Sequence, residues 1–229
     1  IFVALGDTFL KQDVEPIDNP IPSILNLGLY LNFPLLYILL SLSIFVLTDY
    51  NPTWYISIWN YFNIDIIQSR ANTTYADMFA LLLYAIPLHI STMGTNVGHE
   101  LTHRKREKVD MFIGNWLLAL SWDCTFAVEH VHGHHKNVGL KDDPATASRG
   151  ENVYMFIIRA TIKAHKDAWK IEIDRLKRVS SFPFSLKNKM IRGYLRSFIL
   201  SLLAFSIGGS MGLVIFLFWA ILAKSYLET

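Results

Sequence analysis

Three long runs without a formal charge decide most of what this chain can become. From Ile24 to Leu47 almost every residue is apolar or carries a small hydroxyl. Met78 to Val97 contains Tyr84, Pro87 and His89 but no charge, and Phe198 to Ala223 is interrupted by nothing harsher than Gly208-Gly209-Ser210. Each run reaches the ~20 residues that a bilayer-spanning helix needs. Lipid offers no partner for backbone N–H and C=O groups, so such runs must be helical. The expected fold is therefore an all-α integral membrane protein, a transmembrane helix bundle, and 52% hydrophobic residues over 229 positions agree with it. Pro34 is expected only to kink the first span. The last run is too long for one untilted helix and has its Gly-Gly-Ser near the middle, which predicts two short helices in a hairpin that returns the chain to its starting side.

The net charge of +2 conceals an uneven distribution. Between His99 and Lys189 lie 16 of the 21 Lys and Arg, whereas the segment from Asp49 to Asp77 has only Arg70. Nucleic-acid binding is one reading of a basic block, but between membrane spans the positive-inside bias explains it more simply and places residues 99–190 in the cytosol. Residues 1–20 then form an incoming loop, and Asn51 to Thr74 an exterior one. The apolar stretch 111–128 carries Asp123 and is near the lower limit for a span, so a buried or interfacial helix is expected there. Residues 153–178 set Ile158, Ile162, Trp169 and Ile173 against Arg159, Lys163, Lys166 and Lys170 at helical spacing, a face suited to headgroups. The first residue is Ile1, and Tyr226-Leu227-Glu228-Thr229 closes without Gly or Pro, so both ends are expected to be cut.

Cys124 is the single cysteine, so histidines are left to do any metal work. Two boxes stand out. In His99-Glu100-Leu101-Thr102-His103 the spacing of four puts both imidazoles on one helix face, one turn apart. In Glu129-His130-Val131-His132-Gly133-His134-His135 the same spacing relates His130 and His134, while His135 lies about 100° around the helix and could reach a different ion. Five imidazoles, His99, His103, His130, His134 and His135, exceed what one tetrahedral zinc uses and suit two metals or a higher coordination number. Six of the eight histidines fall within 37 residues, in two copies of one spacing, which chance accounts for poorly. His89 in an apolar run, His165 on a charged face and His132, out of phase with its neighbours, are expected to have no metal role. Glu100, Glu129, Asp123 and Asp143 are candidates to accept N–H bonds from the ligands, against the plainer reading of surface carboxylates paired with nearby cations.

One rival is a membrane zinc metallopeptidase, because the first box satisfies H-E-x-x-H, with Glu100 as base and Glu129 as third ligand. It leaves His130, His134 and His135 without work. A non-catalytic anchor or metal-transport module is a third class, disfavoured because its ligands should line the spans.

These residues resemble the membrane alkane 1-monooxygenases and their relatives the xylene monooxygenases, within the fatty-acid-desaturase-like superfamily. The likeness rests on Gly98-His99-Glu100-Leu101-Thr102-His103-Arg104 and on Glu129-His130-x-x-Gly133-His134-His135, followed by Asp143-Pro144-Ala145-Thr146-Ala147, Arg149-Gly150-Glu151, and Ala168-Trp169 with Glu172, Arg175 and Leu176. Leu5-Gly6-Asp7 through Asn19-Pro20 is similar to the family's loop before its third span. The family's N-Y-x-E-H-Y-G segment and third box, L-Q-R-H-S-D-H-H, are absent, and Tyr226-Leu227-Glu228 looks like the approach to the former.

The resemblance implies a single hydroxylase domain over residues 1–229, truncated at both ends, of an enzyme with about six spans. It implies two iron ions, held in part by the five histidines, which with O2 and externally supplied electrons hydroxylate a terminal methyl group of an alkane or alkyl-aromatic drawn from the lipid. Its electron donor would be a rubredoxin or a flavin-iron-sulfur reductase, which Arg104-Lys105-Arg106 is placed to attract. The implied location is the bacterial inner membrane, with the histidine boxes on the cytosolic side. A fatty acyl desaturase or hydroxylase of the same superfamily is the alternative. This segment alone is expected to be inactive, because five imidazoles only half-coordinate two irons.

Overall fold

The computed structural model describes residues 22–228, and every element among them is helical. The expected loop at residues 1–20, with its likeness from Leu5 to Pro20, lies outside the described residues. Helix α1 (Pro22–Val46) crosses first, with Pro34 inside it. Two short helices, α2 (Thr53–Tyr61) and α3 (Ile66–Asn72), lie within the segment read as an exterior loop. Arg70 explains their seating. Its guanidinium donates to the carbonyls of Phe45 and Tyr50 and to Asn51 Oδ1, and lies 3.7 Å from the Phe45 ring centroid, closing the C-terminal end of α1.

Helix α4 (Tyr75–His103) returns. Thr74 starts it with a capping box, exchanging hydrogen bonds with Asp77. Two wide π-helical stretches, Leu81–Ala85 and Ile90–Asn96, lie within it, and the second leads directly into the first histidine box. Helix α5 (Lys108–Ala119) turns back against α4. Gly98 and Gly114 allow this, since a Cβ on either would stand 3.0 or 2.9 Å from the carbonyl oxygen of the other. The first box is thereby pressed onto α5.

The expected helix over 111–128 is corrected: the chain stops at Ala119, turns through Trp122 at φ 54°, and restarts as α6 (residues 126–137). The buried carboxylate of Asp123 causes the break, because it bonds the Thr125 hydroxyl and pairs with Lys224 at 3.1 Å instead of continuing an apolar stripe. Helix α7 (Val153–Arg178) packs through Ala160, Ala168, Glu172 and Leu176, and leaves Ile158 and Ile162 outside.

Helix α8 (Lys189–Glu228) is broken at Gly209, whose φ of 63° and ψ of −155° are open only to glycine. The chain doubles back there, so a Cβ on Gly212 would stand 2.6 Å from the Ala204 carbonyl. Ser197 on the outgoing arm bonds the Ala119 carbonyl, and Lys224 on the returning arm reaches Asp123 four residues further on, so Ser197 and Lys224 lie near one level. This is the expected hairpin. The core joins Leu36, Leu40 and Ile44 of α1, Ile86 and Ile90 of α4, Leu117 of α5, and Ile207, Phe216 and Trp219 of α8. Outward from it Leu27, Leu31, Leu35, Leu88, Phe198 and Leu202 stand exposed, a belt of the kind lipid covers.

Candidate metal centre

The i, i+4 spacing of the first box does what helical geometry requires: His99 Nε2 and His103 Nε2 lie 2.7 Å apart on α4. The second box behaves differently. Residues His130–His134 form a π-helical turn, in which the His135 amide bonds the His130 carbonyl, so residues five apart share a face. His130 Nε2 therefore meets His135 Nε2 at 3.0 Å. Across the two helices the His99 and His130 rings lie 4.4 Å apart, and those of His103 and His135 5.1 Å. The available nitrogens of His99, His103, His130 and His135 all fall within 4.8 Å of one another.

His134 goes elsewhere. Its Nδ1 faces the carboxylate of Asp143, 2.9 Å from Oδ1 and 3.0 Å from Oδ2, and its ring stacks on His130 with 5.0 Å between centroids. Asp143 is itself held by the Thr146 hydroxyl and the Ala145 amide. Burial works against its charge, but these donors and His134 outweigh that and keep its carboxyl below the ordinary range. With Nδ1 engaged, Nε2 is the nitrogen His134 has left for a metal.

Burial first, then the neighbouring imidazoles of His99 and His135, push His130 down to about 3, so its ring is neutral at physiological pH, as a ligand must be. Glu129 is buried, its Oε1 has no hydrogen-bond partner, and burial pushes its carboxyl up to about 7. It folds back against Gly133, where a Cβ would collide with Oε1, which accounts for glycine at that place in the box.

The other candidates separate. Glu100 pairs with Arg104 at 3.0 Å, as the plainer reading held, and Asp123 serves Lys224; of the four carboxylates only Asp143 meets a histidine. His89 and His165 bond the carbonyls of Ala85 and Thr161 in their own helices, and His132 is exposed. Sequence reasoning missed Lys224, because nothing local signals a partner 101 residues away. It also missed Tyr30, whose hydroxyl bonds the buried Asp110 at 2.5 Å.

An all-nitrogen set of imidazole donors suits iron, zinc, copper or nickel and excludes the oxygen cages of calcium and magnesium. The fold and site define an integral-membrane helical protein with a candidate histidine metal centre at the mouth of a span. A profile of fatty acid desaturases matches residues 74–226, and the chain belongs to that family. Alkane 1-monooxygenase 1 of Alcanivorax borkumensis is 28% identical over 239 residues, covering 99% of this chain and 53% of that protein. Alkane 1-monooxygenase of Pseudomonas putida is 32% identical over 157 residues, with 66% and 39% covered. The hydroxylase component of the Pseudomonas putida xylene/toluene monooxygenase is 37% identical over 93 residues, with 41% and 25% covered. The chain thus spans about half the length, or less, of the curated relatives it matches.

Proposed function

We propose that the whole protein is a membrane di-iron monooxygenase that hydroxylates a terminal methyl group of an n-alkane or alkyl-aromatic. The convergence of His99 and His103 with His130 and His135, in a chain similar in sequence to alkane 1-monooxygenases, carries this reading. The reaction takes one O2, two electrons and two protons, turning R–CH3 into R–CH2OH and water. The two irons supply, when bound, the activation of O2 that an unreactive C–H bond demands. His99, His103, His130 and His135 would hold them from one cluster and His134 through Nε2, with residues 1–229 forming part of one hydroxylase domain.

The chain's own groups do the positioning. Asp143 holds the His134 ring and its tautomer, and the neutral His130 offers its lone pair without first losing a proton. Substrate enters from the lipid, the phase it prefers. Electrons arrive from a rubredoxin or a flavin-iron-sulfur reductase on the face that carries residues 99–190, read as cytosolic, in a bacterial inner membrane. Lys105 and Arg106 are exposed there, while Arg104 is occupied by Glu100, Asp110 and Asn26. The zinc peptidase reading loses support from the same geometry, since Glu129, its third ligand, stands outside the ligand cluster and Glu100, its base, is paired with Arg104.

The test is product analysis of cells expressing the full-length protein and fed octane, toluene or a fatty acyl substrate. Primary alcohols are expected, with about two irons per purified protein. Alanine at His99, His103, His130, His134 or His135 abolishes the product and lowers iron, whereas His132→Ala and His165→Ala retain most activity. Unsaturated acyl products alone would make it a desaturase, and one tight zinc with chelator-sensitive proteolysis a peptidase.

A further inference from the structure

Between α5 and the start of α8 lies a cavity of about 300 Å³. Four cations line it, Lys108 from α5 and Lys189, Arg192 and Arg196 from α8, and no carboxylate does. The spacing is what two facing helices produce. Residues 189, 192 and 196 share one face, and 108, 111, 112 and 115 share the face opposite. Between them the floor is apolar, with Phe112, Cys124 and Val128.

No salt bridge among the described residues involves Lys108, Arg192 or Arg196. Glu172, which accepts from the Lys189 backbone, is also engaged by Arg175. Arg196 is the most demanding of the four, because it stands two residues before the charge-free run Phe198–Ala223, at the boundary with the lipid. Its one polar contact is a 3.4 Å bond to Asn115 Oδ1. A guanidinium at the lipid boundary with so little neutralisation suits an anionic partner.

Beyond Arg196 the same face of α8 continues through Ile199 and Leu203, both exposed and apolar. A cationic cup that opens onto an apolar track has the outline of an amphiphile. We propose that this cavity binds the phosphate headgroup of an anionic phospholipid, with an acyl chain lying along Ile199 and Leu203. The guanidinium forks of Arg192 and Arg196 match phosphate oxygens, and Lys108 and Lys189 add point charge at the rim.

Titration of the full-length protein in detergent with dioleoylphosphatidylglycerol and with dioleoylphosphatidylcholine, followed by native mass spectrometry, tests this. The wild-type protein should hold the anionic lipid about tenfold more tightly than the zwitterionic one. Arg192→Gln/Arg196→Gln should abolish that preference. Lys108→Gln/Arg192→Gln, at two exposed positions where folding is not at stake, should reduce it, and Lys141→Gln/Lys166→Gln should leave it intact. Millimolar inorganic phosphate should not displace the lipid; if it does so fully, the pocket is a free-phosphate site and the lipid assignment fails. Equal binding of the two lipids by the wild type, or an unchanged preference in both pocket variants, would also overturn the proposal.

Discussion

His134 Nδ1 lies 2.9 Å from Asp143 Oδ1, and this pair separates His134 from the cluster of His99, His103, His130 and His135. A carboxylate behind an imidazole fixes its tautomer and raises its basicity. Asp143→Asn keeps the shape but gives up the charge, and is expected to weaken metal binding roughly 10–100-fold. Metal content of the full-length variant against a graded chelator series measures it. Wild-type affinity in the variant would show that Asp143 only anchors its own loop.

Gly98 and Gly114 bring two backbones into contact directly beneath the first box. Gly114→Val forces a side chain against the Gly98 carbonyl and Leu101, an overpacking that typically costs about 1–3 kcal/mol. The variant should melt at a lower temperature and lose metal, because His99 is carried by the residue next to the contact. Circular dichroism melting in detergent, with iron analysis on the same sample, follows both effects. Gly28→Val, where nothing lies within 4 Å, is the control and should change neither.

Glu172 of α7 accepts from Arg175 of its own helix and from the backbone N–H of Lys189, the first residue of α8. Burial opposes its charge, yet the Arg175 and Lys189 bonds prevail and hold its carboxyl below the usual glutamate range. A depressed carboxylate contributes stability that is present above its unfolded value of about 4.3 and is lost as pH falls through the folded value. Thermal stability should therefore decline below about pH 4.3, and Glu172→Gln should melt lower at pH 7 with a shallower acid decline. Parallel acid slopes for the two proteins would remove Glu172 from the account.

Placement of residues 99–190 in the cytosol predicts labelling by a membrane-impermeant thiol reagent. In a Cys124→Ser background, Thr53→Cys should react from outside intact cells and Lys141→Cys only after lysis. Labelling of Lys141→Cys from outside would invert the topology.

Much of this was legible in the chain because it is local. Charge-free runs of about twenty residues have one solution in lipid, and the Gly208-Gly209 break announced the hairpin in α8. The same locality placed His99 and His103 together, since a regular helix turns through a fixed angle per residue. Glu100, by contrast, resembled a catalytic base in sequence and is paired with Arg104 in space.

Tertiary structure alone decided the second box. Helical spacing pairs His130 with His134, but a π-helical turn pairs it with His135 and gives His134 to Asp143. It also decided that the apolar stretch 111–128 breaks, because Asp123 finds Lys224, and that the first box rests on α5, because Gly98 meets Gly114. The physical reason is common to all three. Periodicity is a property of neighbours within one helix, whereas an extra residue in a turn, a buried carboxylate or a backbone contact is stable only when a remote segment supplies its partner.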